Sequence, residues 1–351
     1  MKDWFLLFRP WSYTATIVPF LVGGAFAAAM GPRCYVHAVP RWTFGLLAGL
    51  LFQASANLLN TWGDERSGVD AAPGAIRTTP QIHEGKISMR ALFVAAMVCF
   101  SLAVVIGVAL CFYELPPVAY GMRDIPKSGA EWRFCWRLVG LGIIGALGAV
   151  NYSTGVKFKY HGLGVPFVSF LMGPLEIFVA LAVVAPWIAD CVLYFLTQEF
   201  SAHVLDVLVG TMVLLAFSAP VALLVGVIMH GNDMRDIPTD RAAGIVTLAS
   251  RIGPRRAFIY YRFCHICPYV LAAAAAFVGT VCYSIRCLYF LMPCIALPFS
   301  IYTIRTAARV FSANPRSPKW RGLERASGLV HFLFGVLYAA AIFLMFSGHG
   351  A

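Results

Sequence analysis

Nine apolar runs, most of them long enough to cross a bilayer, leave this chain little choice of architecture. They lie near 11–31, 42–62, 90–112, 136–153, 164–187, 203–228, 257–281, 288–304 and 327–347. Only 12% of the 351 residues are charged and 60% are hydrophobic, too little polar surface for a soluble protein of this size. In lipid the backbone must satisfy its own hydrogen bonds, so such runs fold as helices. The expectation is an all-α integral membrane bundle of about nine transmembrane helices. The first run is followed by many others and reads as a span rather than a removable signal peptide. No Gly/Ser-rich linker divides the chain, so residues 1–351 form one membrane domain.

Charge sets the orientation. With the N-terminus inside, cytoplasmic stretches hold 20 of the 27 Lys and Arg residues and outer stretches hold seven. An odd helix count then leaves the C-terminus outside. The net charge of +11 is gathered at span ends and inner loops, where anchoring and anionic lipid account for it; nucleic acid is not an expected partner. The ten cysteines are scattered and form no disulfide framework.

Two Asn/Asp clusters break the apolar pattern. Asn60, Asp64 and Asp70 lie in NTWGDERSGVD, and Asn232, Asp236 and Asp240 lie in NDMRDIPTD. Each follows an apolar run and precedes a basic stretch, in motif loops near 63–89 and 230–256, both on the cytoplasmic side. The units lie about 170 residues apart, a weak two-part pseudo-repeat with a site between the halves. Carboxylates near lipid are costly and normally face a cavity and a partner. Asn60 and Asp64, four apart, share one helix face. Pro238 predicts a helix end or kink inside the second cluster, which leaves the face of Asp240 open. Paired acid clusters suit Mg²⁺, and Mg²⁺ suits diphosphate; two opposed clusters can hold two ions. MRDIP recurs at 122–126, but Tyr120 and Ser128 stand at the other motif positions, so Asp124 is set aside.

A departing diphosphate also needs positive charge. Arg77, Lys86, Lys157, Arg235 and Arg241 are candidates by side and proximity, with Tyr152 as a hydrogen-bond donor. Lys157, close after a span in YSTGVKFKY, is preferred to Lys159. Arg235 adjoins Asp236 and also reads as its ion-pair partner. His83 and His230 flank the two loops and read mainly as polar loop or capping residues. Acids in an ion-coupled carrier would sit near the midplane; here they gather at one side.

The same segments resemble the UbiA superfamily of intramembrane prenyltransferases, and within it the 1,4-dihydroxy-2-naphthoate polyprenyltransferase branch. RPWSYTATIVPFLVGGA is similar to that branch's opening, ANLLNTWGDERSGVD to its first Asp motif, and RTTPQIHEGKIS to the following loop. YSTGVKFKYHGLGVPFVSFLMGP is similar to the central segment, with Tyr152 and Lys157 at its diphosphate-side pair, and NDMRDIPTDRAAGIVTLASRIG to the second Asp motif. One departure is Ile245 and Val246, where the branch carries basic residues. The resemblance implies a nine-helix bundle around a cavity that opens sideways to lipid. It implies two Mg²⁺ ions held by Asn60, Asp64, Asp70, Asn232, Asp236 and Asp240, with a polyprenyl diphosphate between them. An aromatic acceptor would be dihydroxynaphthoate, decarboxylated on transfer in menaquinone biosynthesis, or 4-hydroxybenzoate, homogentisate or another ring. A bacterial inner membrane is the location expected from that branch.

Overall fold

The computed structural model describes residues 2–29, 35–66, 80–114, 132–153, 155–186, 204–242, 244–313 and 320–347. The first part runs through α1 (Lys2–Phe8), α2 (Thr14–Ala29), α3 (Tyr35–Arg66), α4 (Pro80–His83) and α5 (Met89–Cys111). A short antiparallel pair, β1 (Phe112–Glu114) and β2 (Trp132–Phe134), precedes α6 (Trp136–Ser153). Next, α7 (Gly164–Phe170) passes through a π-helical turn at Leu171–Leu175 into α8 (Glu176–Val184). The last part holds α9 (Val204–Ala242), α10 (Leu248–Ile252) and α11 (Pro254–Cys282). A 3₁₀ run at Ile285–Ala296 then continues into α12 (Leu297–Ala313), and α13 (Trp320–Phe346) follows.

Each of the nine apolar runs is helical over most of its described residues. Eight helical segments among the described residues are long and apolar enough to cross a membrane, and Trp136–Tyr152 is a shorter apolar helix. The ends are set locally. Ser88 caps α5 by accepting from the Ala91 N–H at 3.1 Å, and Pro254 starts α11, where a missing N–H costs nothing. Outward faces stay apolar: Val105, Phe277 and Val281 are exposed at 66%, 72% and 70%, the pattern of lipid contact rather than water contact.

One large core joins α2, α8, α9, α11 and α13 through Val18, Ile177, Leu224, Tyr269 and Phe334. Small residues let helices approach closely, as expected where lipid gives no hydrophobic drive to association. A Cβ on Gly23 of α2 would sit 2.6 Å from the Ile177 carbonyl oxygen of α8. A second core binds α1, α3 and α5 through Leu7, Leu58 and Leu92.

Alternation of the spans brings the C-terminal ends of α3 and α9, the α6–α7 connection and the α1–α2 connection to one end of the bundle. Two sequence expectations need correction here. The second Asp cluster was placed in the 230–256 loop, with Pro238 ending or kinking the helix; instead α9 runs on to Ala242. Pro238 lies four residues from that end on an exposed face, so the lost donor is cheap, while Ile237 and Asp240 on either side are buried. Asp64 is likewise helical, in the last turn of α3 rather than in the 63–89 loop.

At the opposite end Arg41 holds three elements together. Its guanidinium donates to the carbonyls of Val183 at 2.7 Å, Phe112 at 2.9 Å and Leu110. These are orphan carbonyls at the ends of α8 and α5, and a cation complements both helix C-termini. Arg41→Leu should lower stability by about 2–4 kcal/mol without changing the motif end. Thermal unfolding in detergent checks this, and an unshifted midpoint would show the clamp to be idle.

Candidate active site

The site assembles on one turn of chain between α6 and α7. Gly155 and Lys157 both take left-handed backbone angles, φ 53° and 57°, and the Asn151 side-chain carbonyl accepts from the Val156 N–H at 3.1 Å. Left-handed geometry is uncommon away from glycine and forces a sharp reversal here. The reversal leaves the Lys157 side chain exposed and directs Lys159 and Tyr160 inward.

Lys159 Nζ lies 3.1 and 2.9 Å from the two carboxylate oxygens of Asp64, and the Tyr160 hydroxyl donates to Asp64 Oδ1. Asp64 is only 8% exposed. Burial by itself would lower the Lys159 pKa, but Asp64, Tyr152 and Tyr160 outweigh it and hold the ammonium charged well above the usual range. The other side of the same turn reaches the second motif through backbone. His161 bridges Val246 in parallel, and the Val246 N–H donates to the Tyr160 carbonyl at 3.3 Å. Val246 thus serves this junction by its main chain.

On α9 the helical continuation places Asn232, Asp236 and Asp240 at successive four-residue steps on one face. Arg235 grips Asp236 in a two-pronged ion pair, Nε–Oδ1 2.7 Å and Nη2–Oδ2 2.6 Å, and donates to Asn232 Oδ1 at 3.2 Å. Thr247 donates to Asp240 Oδ2 at 3.0 Å. Asp233 and Asp240 are buried, 8% and 7% exposed, and carry no ion pair among the described residues. Asp240 lies within electrostatic reach of Asp64 and Lys159, and Asp233 within reach of Lys159. The two acid clusters thus face one another at one end of the bundle.

Tyr152 is near Lys159, Asp233, Asp64 and Arg9. Arg9, itself left-handed at φ 51°, donates to Thr61 at 3.4 Å beside the first motif. Of the other sequence candidates, Lys86 is exposed and paired with Glu84 at 2.6 Å, which raises its pKa. His83 pairs with Glu65 at 3.2 Å, and buried His230 contacts the Ala257 carbonyl at 2.9 Å. Asp70, Arg77 and Asp124 lie outside the described residues. Lys157 does not meet Asp64; its ammonium stands 5.9 Å from the Tyr160 ring centre. Sequence reasoning missed Tyr160, Asp233 and Arg9. Asp233 had a signal, an acid beside Asn232 in an apolar helix, whereas Arg9 and Tyr160 had none beyond their neighbours.

The donor set fits a hard divalent cation. It offers carboxylate oxygens without bound cations on Asp233 and Asp240, and Asn60 Oδ1 is a buried acceptor with no hydrogen-bond partner among the described residues. No three His, Cys, Asp or Glu side chains among the described residues close on one point. Mg²⁺ keeps waters and substrate oxygens in its shell and does not need such a cage. An apolar cavity of about 390 Å³, lined by residues such as Gly24, Trp42, Val184 and Phe343, opens toward the far end and holds no acid.

The UbiA prenyltransferase family profile matches residues 16–334. The chain belongs to the UbiA prenyltransferase family. It is accordingly an integral membrane enzyme, a transferase of prenyl groups. Human UbiA prenyltransferase domain-containing protein 1 is 26% identical over 349 residues, covering 98% of this chain and 84% of its own length. The Drosophila melanogaster homolog is 26% identical, covering 97% of this chain and 79% of its own. These relatives are animal proteins and single out neither the naphthoate branch nor a bacterial membrane. Among solved structures, a UbiA homolog from Archaeoglobus fulgidus bound to GPP and Mg²⁺ superposes with TM-score 0.54 at 17% identity, over 97% of this chain and 99% of that one. The apo UbiA homolog from Aeropyrum pernix K1 gives 0.53 at 15% identity, over 94% and 96%. At these identities the likeness carries the fold.

Proposed function

We propose that this UbiA-family protein transfers a polyprenyl group from its diphosphate to the ring of an aromatic acceptor, with 1,4-dihydroxy-2-naphthoate as the first acceptor to test. The observation that supports it most is the meeting of Asp64 and Lys159 with Asp233 and Asp240 at one bundle end. The Archaeoglobus neighbours were solved with GPP or DMAPP and Mg²⁺, which points the same chemistry at these residues.

Asn60, Asp64 and Asp70 on one side, and Asn232, Asp236 and Asp240 with Asp233 on the other, would hold two Mg²⁺ ions. When bound, Mg²⁺ neutralises the negative charge that gathers on the diphosphate oxygens as the allylic C–O bond breaks. Lys159 adds a fixed ammonium, and Tyr152 and Tyr160 add hydroxyl donors. Arg235 holds Asn232 and Asp236 in register. The electron-rich ring attacks the allylic carbon, a C–C bond forms, and diphosphate leaves. With the naphthoate acceptor the carboxylate departs from the attacked carbon as CO₂; with 4-hydroxybenzoate a ring proton departs instead. The surrounding apolar helices exclude water from the electrophile. The basic-residue asymmetry puts this end in the cytoplasm, with the tail and acceptor entering from lipid.

Purified protein given Mg²⁺, geranylgeranyl diphosphate and a panel of dihydroxynaphthoate, 4-hydroxybenzoate and homogentisate should release diphosphate and yield a prenylated ring. Mass spectrometry separates the acceptors, because the naphthoate product lacks CO₂. Chelation should abolish turnover and Mg²⁺ should restore it. Full activity in chelator, or donor consumption with no prenylated ring from any acceptor, would overturn the proposal.

A further inference from the structure

A second polar group lies deeper in the bundle, on the same stripe of α3 that ends in Asp64. Gln53, Asn57, Asn60 and Asp64 follow one another at four-, three- and four-residue steps and share one helix face. Gln53 is 3% exposed and its amide donates to the Ser12 carbonyl at 2.7 Å. That fixes the Gln53 side-chain oxygen as an acceptor, and the buried Thr16 hydroxyl donates its single proton there. Thr16 also lies beside the carboxyl of Glu176, the first residue after the π-helical turn of the α7–α8 span.

With its proton committed to Gln53, Thr16 has none to give Glu176. Glu176 Oε2 is buried and has no hydrogen-bond partner among the described residues. A carboxyl in an apolar span is expensive, and no described residue uses this oxygen. The insertion of a π turn immediately before it is the kind of irregularity that re-aims side chains at functional sites. Along α3, Gln53 lies eleven residues from Asp64, roughly 16 Å of rise, about the length of a metal-held diphosphate head followed by one aromatic ring.

We propose that Glu176, positioned by Thr16 and Gln53, accepts a hydrogen bond from a phenolic or naphtholic hydroxyl of the ring acceptor. The assignment rests on the transferase reading above and names which part of the acceptor is recognised. A buried acceptor oxygen of this kind favours a hydroxyl donor and offers nothing to a carboxylate. Glu176 is thus a specificity residue, remote from the bond that forms.

The test uses binding, so it does not depend on turnover. Calorimetry on the full-length detergent-purified protein measures Kd for 1,4-naphthalenediol and for 4-methoxy-1-naphthol. The wild type should bind the diol about tenfold more tightly than the ether. Glu176→Gln, whose amide carbonyl can take the place of Oε2, should keep that preference. Glu176→Met should bind both ligands alike and about tenfold more weakly than the wild type binds the diol, with KM for geranylgeranyl diphosphate within about twofold of normal. A Met variant that still prefers the diol, a Gln variant that loses the preference, or a donor KM that rises in parallel would overturn the subsite. Failure of every acceptor to be prenylated, with these affinities as expected, would instead count against the transfer reaction alone.

Discussion

Asp64→Asn should reduce prenyl transfer by about a thousandfold or more while leaving the side-chain volume unchanged. Asp64 is the point where the first motif, the central turn and the second motif converge. Its carboxylate receives Lys159 Nζ on both oxygens and the Tyr160 hydroxyl on one. Neutralising it removes an oxygen charge proposed for the metal and strips the buried Lys159 of its counter-charge. Their side chains are 11% and 19% exposed, so the pair is largely desolvated and its rupture should also cost about 3–5 kcal/mol of stability. The two effects separate in the double variant Asp64→Asn, Lys159→Met. Removing both charges should recover most of the thermal midpoint and none of the activity. Diphosphate release and thermal unfolding report the two quantities independently. A single variant with near-normal turnover would remove Asp64 from the chemistry.

Much of this was legible in the sequence because membrane chemistry writes itself plainly. The run at 136–153 is α6 to the residue, and the remaining runs fall within a few residues of helices or lie wholly inside them. Asn60 and Asp64 share a face because helical periodicity requires it. What could not be read depends on backbone turns and contacts distant in sequence. The pairing of Phe112–Glu114 with Trp132–Phe134 is one such feature, since three-residue strands leave no periodic signal. Pro238 is another: its usual helix-breaking effect is muted because its ring faces outward near a helix end. Asp233 falls outside the four-residue spacing of Asn232, Asp236 and Asp240, which marks a single helix face. A neighbouring position reaches the same cluster when the partner, Lys159, comes from the α6–α7 connection.

The choice between Lys157 and Lys159 shows this most sharply and gives the other large effect. Lys159→Met should lower kcat/KM for the prenyl diphosphate by about a hundredfold to a thousandfold, whereas Lys157→Met should stay within about threefold. Two lysines two residues apart would lie on the same side of a strand, and position in the sequence favours Lys157, the one closer to the span. The separation comes from Lys157 itself at φ 57°, which turns the chain so that its own ammonium stays outside and the next lysine enters. Once inside, Lys159 is held charged by Asp64, Tyr152 and Tyr160 against its own desolvation. A cation so placed needs no reorganisation when diphosphate charge develops, while an exposed lysine is already screened by solvent. Steady-state kinetics on both variants, with donor KM and kcat measured separately, decides the matter. If Lys157→Met proves the damaging change and Lys159→Met is tolerated, the left-handed turn does not deliver the cation, and the junction between the two acid clusters has to be drawn differently.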